Sequence, residues 1–236
     1  MLDIPVFFDF SNGLGGTPAY LLIDASRESY TNGQSVTSLN DFGTGAKTFT
    51  QGSVGNRPTF SISGGVSGVS FGGSTSYMPS ANSIPSTQGT LIVAFQTGAT
   101  AFATQGDQVL FSSADTGTAD NWFEVGIDSS GRMYCEFNAS GTKNRARGST
   151  ILSQSTKYCF ALDFAGTDYW MQIGTTEENP ITYLNSDTSA PMSFKWFGDV
   201  SGPDNVVIGG TVTSAGLVRP FQGLIYTARL WAGSIL

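Results

Sequence analysis

Wherever the hydrophobic pattern of this chain can be read, its period is two. Residues 121–128, NWFEVGID, set Phe123, Val125 and Ile127 on one side and Trp122, Glu124 and Asp128 on the other. After the turn signal SSG, residues 132–138, RMYCEFN, alternate again, with Met133, Cys135 and Phe137 opposite Arg132, Tyr134 and Glu136. A side chain that changes face at every step marks a β-strand. Two such runs joined by a short turn make a hairpin with one apolar and one polar face. The same reading gives strands at 90–96 (TLIVAFQ), 157–164 (KYCFALDF, turning through AGTD into YWMQIGTT), 205–210 (NVVIGG) and 223–231 (GLIYTARLW). No segment holds a 3.6-residue period over ten residues, so a helical bundle is excluded.

Composition agrees with that pattern. Glu and Lys, which cover exposed helix faces, number only five and four. Charged residues make up 12% of the chain, about half the usual share, while 39% hydrophobic residues are enough to build a core. Short strands separated by turn signals about every 8–12 residues point to an all-β sandwich or barrel, and 236 residues suit one such domain. Residues 25–68 and 175–204 read as long loops, rich in Ser, Thr, Asn, Gly or Pro. Residues 1–18, with Ile4, Val6, Phe7, Phe8 and Phe10, are expected to form an arm that docks on a neighbour, leaving residues 19–236 as the folded domain.

The chain contains no His. Ser-His-Asp and Cys-His nucleophiles, His-ligated zinc and the usual neutral-pH base are therefore ruled out. Eleven Lys and Arg against 18 Asp and Glu give a net charge of −7, which disfavours nucleic acid and anionic membranes as partners. No run approaches the length of a membrane-spanning helix, and MLDIPVFFDF lacks the basic start of a signal peptide. Cys135 and Cys159 alternate to opposite sides of their strands and are expected as reduced thiols.

Several strings then become familiar in combination: LLIDAS (21–26), VTSLNDFGTG (36–45), RPTF (57–60), GVSFGGSTSYM (68–78), and near the far end VVIGG (206–210) and FQGLIYTARLWAG (221–233). Their order and spacing resemble laminin-G-like domains of the concanavalin A-like lectin/glucanase superfamily. The resemblance implies a single jelly-roll β-sandwich of two antiparallel sheets. It also implies the setting in which such domains recur, the bacteriophage particle. The expected role is a non-enzymatic virion structural protein (head decoration, fibre or tail-associated subunit), made in the host cytoplasm. Its partners would be other virion subunits, further copies of itself as a homo-oligomer, and a host-surface polysaccharide. The alternative is a polysaccharide-degrading glycoside hydrolase or lyase of the same fold. Some relatives hold calcium at the sandwich rim, but the often acidic positions of that motif are Gly72, Thr75 and Ser76 here. Asp115, Asp120 and Asp128 lack the close alternate spacing of a calcium loop, so no cofactor is expected.

Two groups of residues could carry chemistry. A retaining hydrolase needs carboxyls about 5–5.5 Å apart. Glu124 and Asp128 on one strand would stand about 13 Å apart, with Gly126 between them. Glu124 and Glu136 could face each other across the hairpin beside Tyr134, depending on register. The plainer expectation is that these are solvated charges on the hairpin's outer face. Likewise, Lys143, Arg145 and Arg147 in GTKNRARGS read as a solvated loop, or as a patch docking on an acidic neighbour. The second group is aromatic. Trp170 and Trp231 lie within strands and are expected to pack, whereas Trp122 and Trp196 stand in loop-like sequence beside Asp120, Asn121 and Asp199. A flat ring next to fixed amide and carboxylate groups suits a sugar, so a weak glycan site at the loop rim is expected there, strengthened by avidity of roughly 10²–10⁴-fold in an oligomer. The competing expectation is that both rings close the core or a subunit interface.

Overall fold

The computed structural model describes residues 18–166, 169–174, 176, 177, 182–185 and 195–234. The expected N-terminal arm lies outside these, apart from Pro18. Strands are numbered along the chain. One sheet runs β14 (Thr176–Glu177), β13 (Tyr169–Ile173), β12 (Lys157–Phe164), β7 (Gly89–Thr97), β19 (Gln222–Trp231), β5 (Val66–Gly72) and β4 (Thr59–Ser63), with β1 (Leu21–Asp24) also paired to β19. The second runs β15 (Thr182–Asn185), β11 (Thr142–Ile151), β10 (Arg132–Ala139), β9 (Trp122–Ile127), β8 (Gln108–Ala114), β16 (Asn205–Ile208) and β6 (Met78–Ala81). Two small hairpins, β2 (Ser38–Asn40) with β3 (Thr48–Thr50) and β17 (Thr211–Thr213) with β18 (Gly216–Val218), complete the set. Every pairing between these strands is antiparallel, so the fold is the all-β jelly-roll sandwich expected from the sequence.

The core lies where the two sheets face each other. Leu91, Val93 and Phe95 of β7 and Phe160, Leu162 and Phe164 of β12 come from one side, and Phe123, Val125, Ile127, Cys135 and Phe137 from the other. Each such side chain contributes roughly 1.5–3 kcal/mol by leaving water. Two bulges interrupt the alternation. At Leu110 the β8–β9 register shifts, and the consecutive Leu110 and Phe111 both join the core. At Tyr226 the β19–β7 register shifts, and the outer side of β19 passes from β5 to β1.

Residues 25–68 are not one long loop: they hold β2, β3, β4 and the start of β5, whose single inward residues Leu39, Phe49 and Phe60 are too widely spaced to show a run. In the other expected loop, 175–204, the described parts include β14, β15 and a 3₁₀ turn over Phe197–Asp199. The basic segment 143–147 is also not a loop. Ser140 and Gly141, both at positive φ (53° and 85°), make a tight two-residue turn after β10, and the chain returns at once as β11. Cys135 is buried and Cys159 partly buried, and both are free thiols.

Candidate functional site

The register of the β9–β10 hairpin decides the arrangement of the polar face. Glu136 stands opposite Glu124, and Tyr134 opposite Gly126. A Cβ at Gly126 would collide with the Gln108 carbonyl and come within 3.1 Å of the Tyr134 ring. Glycine therefore lets the phenol lie across β9, where its hydroxyl donates to Glu124 Oε1 at 2.9 Å. On β11, Arg145 is opposite Glu136. Its Nε donates to Glu136, its Nη2 donates to Asp107 at 2.7 Å, and its guanidinium lies 4.1 Å from the centre of the Tyr134 ring.

A lid covers part of this face. The β17–β18 hairpin is fastened to the sheet by Ser112 Oγ donating to the Gly210 carbonyl (2.8 Å) and by Asn205 Nδ2 donating to Val212 (3.0 Å). Thr211 Oγ1 donates to Glu124 Oε2 at 2.8 Å. The return of the hairpin brings in Arg219, whose carbonyl accepts the Val109 N–H at 2.9 Å. Pro220 follows, which disfavours the right-handed helical region for Arg219; the residue takes φ 51° instead, at a cost of roughly 1–2 kcal/mol. From there its Nη1 donates to Glu124 and, at 3.3 Å, to Glu136 Oε1, with the guanidinium 5.0 Å from the Trp122 ring centre.

These contacts overturn two expectations. Glu124 and Glu136 are not solvated: they are 0% and 4% exposed, because the hairpin and two arginines take the place of water. Nor are Arg145 and Arg147 free in a loop or reserved for a neighbouring subunit. They pair within the chain, Arg147 with Asp128 at 3.3 Å. Asp128 does not join Glu124. Its Oδ1 accepts the N–H groups of Ser130 (2.8 Å) and Arg132 (2.9 Å), which fixes the β9–β10 turn.

The electrostatics follow from burial. Desolvation pushes the Glu124 carboxyl above the usual glutamate range; Arg219 and the two hydroxyl donors oppose the rise, and Glu136 adds to it. Desolvation, then the Glu124 charge, raise the Tyr134 phenol far above its ordinary value. Arg145 and Arg219 are pushed up by their carboxylate neighbours, chiefly Glu136 and Glu124 respectively, against the effect of burial. Both arginines therefore stay cationic at any relevant pH. Both Glu124 oxygens have donors, and Glu136 is bonded to two guanidiniums, so neither carboxylate is placed to reach a scissile bond.

The expected tryptophan site does not form. Trp196 is fully buried: it stacks on Phe164 (centroids 6.1 Å apart, planes at 19°) and packs on Phe123 and Phe197. Phe123 and Phe164 come from distant parts of the chain, which is why loop-like sequence around Trp196 was misleading. Asp199 caps this turn by accepting the Trp196 N–H at 2.8 Å. Trp122 is only 5% exposed, lies beneath Arg219, and donates from Nε1 to the Ala119 carbonyl. Asn121 accepts the Ser140 N–H (2.9 Å), and Asp120 accepts from Asn138 at 3.4 Å. Trp231 is buried as expected, and Trp170 is partly so. Among the described residues no three acidic or thiol groups converge as metal ligands.

Solved structures to which the fold is similar include carbohydrate-binding and sialidase domains. The chain is similar to CBM40 of the Ruminococcus gnavus IT-sialidase bound to α2,3-sialyllactose (TM-score 0.54, 19% identity, covering 71% of this chain and 90% of that one). It is also similar to domain 4 of AbnA, a GH43 extracellular arabinanase from Geobacillus stearothermophilus, in complex with arabinotriose (TM-score 0.52, 16% identity, 76% and 77% covered). A third is a point mutant of NanB sialidase from Streptococcus pneumoniae (TM-score 0.53, 15% identity), where the match covers 72% of this chain and 26% of that one. No protein-family model and no curated protein matches the sequence. At these identities the likeness establishes the fold alone.

One part of the polar face is left open to a ligand. Arg145 Nη1 and Arg219 Nε and Nη2 have no protein partner among the described residues, and none of these nitrogens is buried. The two side chains are 16% and 27% exposed and flank the same carboxylate, Glu136. Sequence reasoning placed Glu124, Tyr134 and Glu136 on one face. It missed Asp107, Thr211 and Arg219, which sit near turns and carry no periodic signal.

Proposed function

We propose that this chain is a non-enzymatic glycan-binding subunit of a bacteriophage virion, engaging an acidic host-surface glycan at the Arg145–Arg219 end of the polar face. The observation that carries the reading is the pair of guanidiniums with unpartnered N–H groups on either side of Glu136. Such forks match a sugar carboxylate, and their geometry is held by Glu136, Glu124 and the rings beneath. The R. gnavus neighbour, bound to sialyllactose, supports the choice of an acidic sugar. The virion setting, the homo-oligomer and the docking of residues 1–18 on other virion subunits rest on the sequence resemblance and the Lys-poor, His-free composition. A single site of this kind binds weakly, and copies on a particle gain by avidity. The hydrolytic alternative loses ground because its three candidate carboxylates, Glu124, Glu136 and Asp128, are buried and already bonded within the chain.

Isothermal titration with 3′-sialyllactose and lactose tests the site. Millimolar binding of the sialylated probe only, weakened at least tenfold in Arg145→Lys, is expected. Equal binding of both sugars, or an unchanged Arg145→Lys variant, would refute it. Mass spectrometry of purified particles tests the setting, which fails if the chain is missing from them.

A further inference from the structure

A concavity of about 740 Å³ opens between the Gly45–Thr48 segment, the turn after β6 and the Pro203–Asp204 loop. It shares no lining residue with the polar cluster, and its size lies within the roughly 300–1,000 Å³ typical of small-ligand sites. Its charges are already satisfied. Lys47 is 7% exposed and donates from Nζ to the carbonyls of Asn82 (2.9 Å) and Ser83 (3.1 Å). Asp204 accepts from the Thr116 N–H (3.0 Å) and hydroxyl (2.6 Å). The groups left without protein partners, among the described residues, are neutral: the Tyr20 hydroxyl, the Thr48 and Ser83 hydroxyls and the Asn82 amide.

The backbone gives an independent observation. Ala46 and Asn82, both in the lining, hold left-handed φ, 49° and 69°. Asparagine adopts this conformation readily, but alanine does so at a cost that glycine would avoid. Ala46 is among the lining residues, so a strained backbone position lies at the cleft itself. The prolines Pro85 and Pro203 supply apolar surface, beside the half-buried Tyr20 ring.

We infer that this cleft is a second saccharide site, separate from the polar-face site, which takes an uncharged oligosaccharide. Tyr20 with the proline surfaces meets the apolar face of a sugar, and Thr48, Asn82 and Ser83 meet its hydroxyls. With Lys47 and Asp204 internally committed, no charge is left to reward an anionic ligand.

The test is an amide NMR titration of the full chain with neutral di- and trisaccharides of glucose, galactose, mannose and arabinose. At least one should give saturable shifts at Ala46–Thr48 and Asn82–Ser83 in the millimolar range. Asn82→Gly keeps the left-handed backbone and removes the amide, and should weaken that binding at least tenfold. Tyr20→Phe should weaken it several-fold, and Arg145→Lys should leave it unchanged. The inference is overturned if no neutral sugar shifts these amides, or if Asn82→Gly binds as well as wild type. It is also overturned if only 3′-sialyllactose shifts them. Because Arg145→Lys reads out the polar-face site alone, the two sites fail independently.

Discussion

The two faces of the β9–β10 hairpin are almost equally dry, yet they are held by different physics. On one face Phe123, Val125 and Ile127 meet the opposite sheet, and each is 0% exposed. On the other, Glu124 and Tyr134 are also 0% exposed, kept there by hydroxyl and guanidinium donors and by two cation–π contacts. The first face gains from releasing water non-directionally. The second removes ions from water, and that penalty is offset only while every partner is in place. On the apolar face a truncation costs what the lost area and the cavity left behind dictate, whereas on the polar face removing one partner leaves another charge buried without compensation. The same pairings fix the positions of Arg145 and Arg219, the residues proposed to meet a glycan.

The largest expected effect is on the apolar face. Phe123 lies 4.4 Å from Phe197 and 5.5 Å from Trp196, centroid to centroid. Phe123→Ala should cost about 3–5 kcal/mol in urea denaturation; a loss below about 1 kcal/mol would show that the sandwich is not packed as described. On the polar face, Arg219→Met strands a buried carboxylate and should cost about 3 kcal/mol at neutral pH, the low end for breaking a buried pair, since Glu124 can take up a proton. Adding Glu124→Gln should recover part of that loss, and strict additivity of the two changes would mean they do not interact.

A smaller effect separates the faces by pH. The folded-state pKa of Glu124 is raised, so its contribution to stability is present below the ordinary glutamate value and is lost as pH rises through the raised one. Stability should therefore fall with rising pH just above the usual glutamate range, and Glu124→Gln should flatten that slope. If the slope is the same in the variant, desolvation does not govern this carboxyl. The smallest effect concerns the thiols. Burial pushes the Cys135 thiol up and the Cys159 thiol up to about 11. At pH 8 the native protein should show no fast reaction with a disulfide reagent, and both thiols should react once it is unfolded. A fast native thiol would mean that one of these strands opens readily.

The same contrast explains what the sequence could reveal. Strands β9, β10 and β12 were legible because large apolar residues alternate with smaller or polar ones, and β7 and β19 because apolar runs are bounded by turn signals. Strand β11 was hidden because its inward residues Asn144, Ala146 and Gly148 are small or polar and its outward ones are Arg145 and Arg147, which together read as a solvated loop. In β8 the bulge at Leu110 breaks the phase of the alternation. Period-two reasoning put Glu124, Tyr134 and Glu136 together, but Arg219 is 95 residues from Glu124 and reaches it only through the fold.

The place of β19 has a consequence for how the chain comes to be folded at all. It is the last strand in sequence among the described residues, yet it lies inside its sheet, with β7 on one side and β5 and β1 on the other. Until it is synthesised, β7 and β5 both present open edges, and β1 has no strand partner among the described residues. A nascent chain must carry an unpaired β1 for roughly 200 residues of synthesis, and the open edges of β5 and β7 for roughly 150 and 125, or some ten to forty seconds for β1 at about 5–20 residues per second. Closure then waits on contacts of very high sequence separation, such as Leu21 with Leu230, which makes the fold slow to complete and exposes it to aggregation during synthesis.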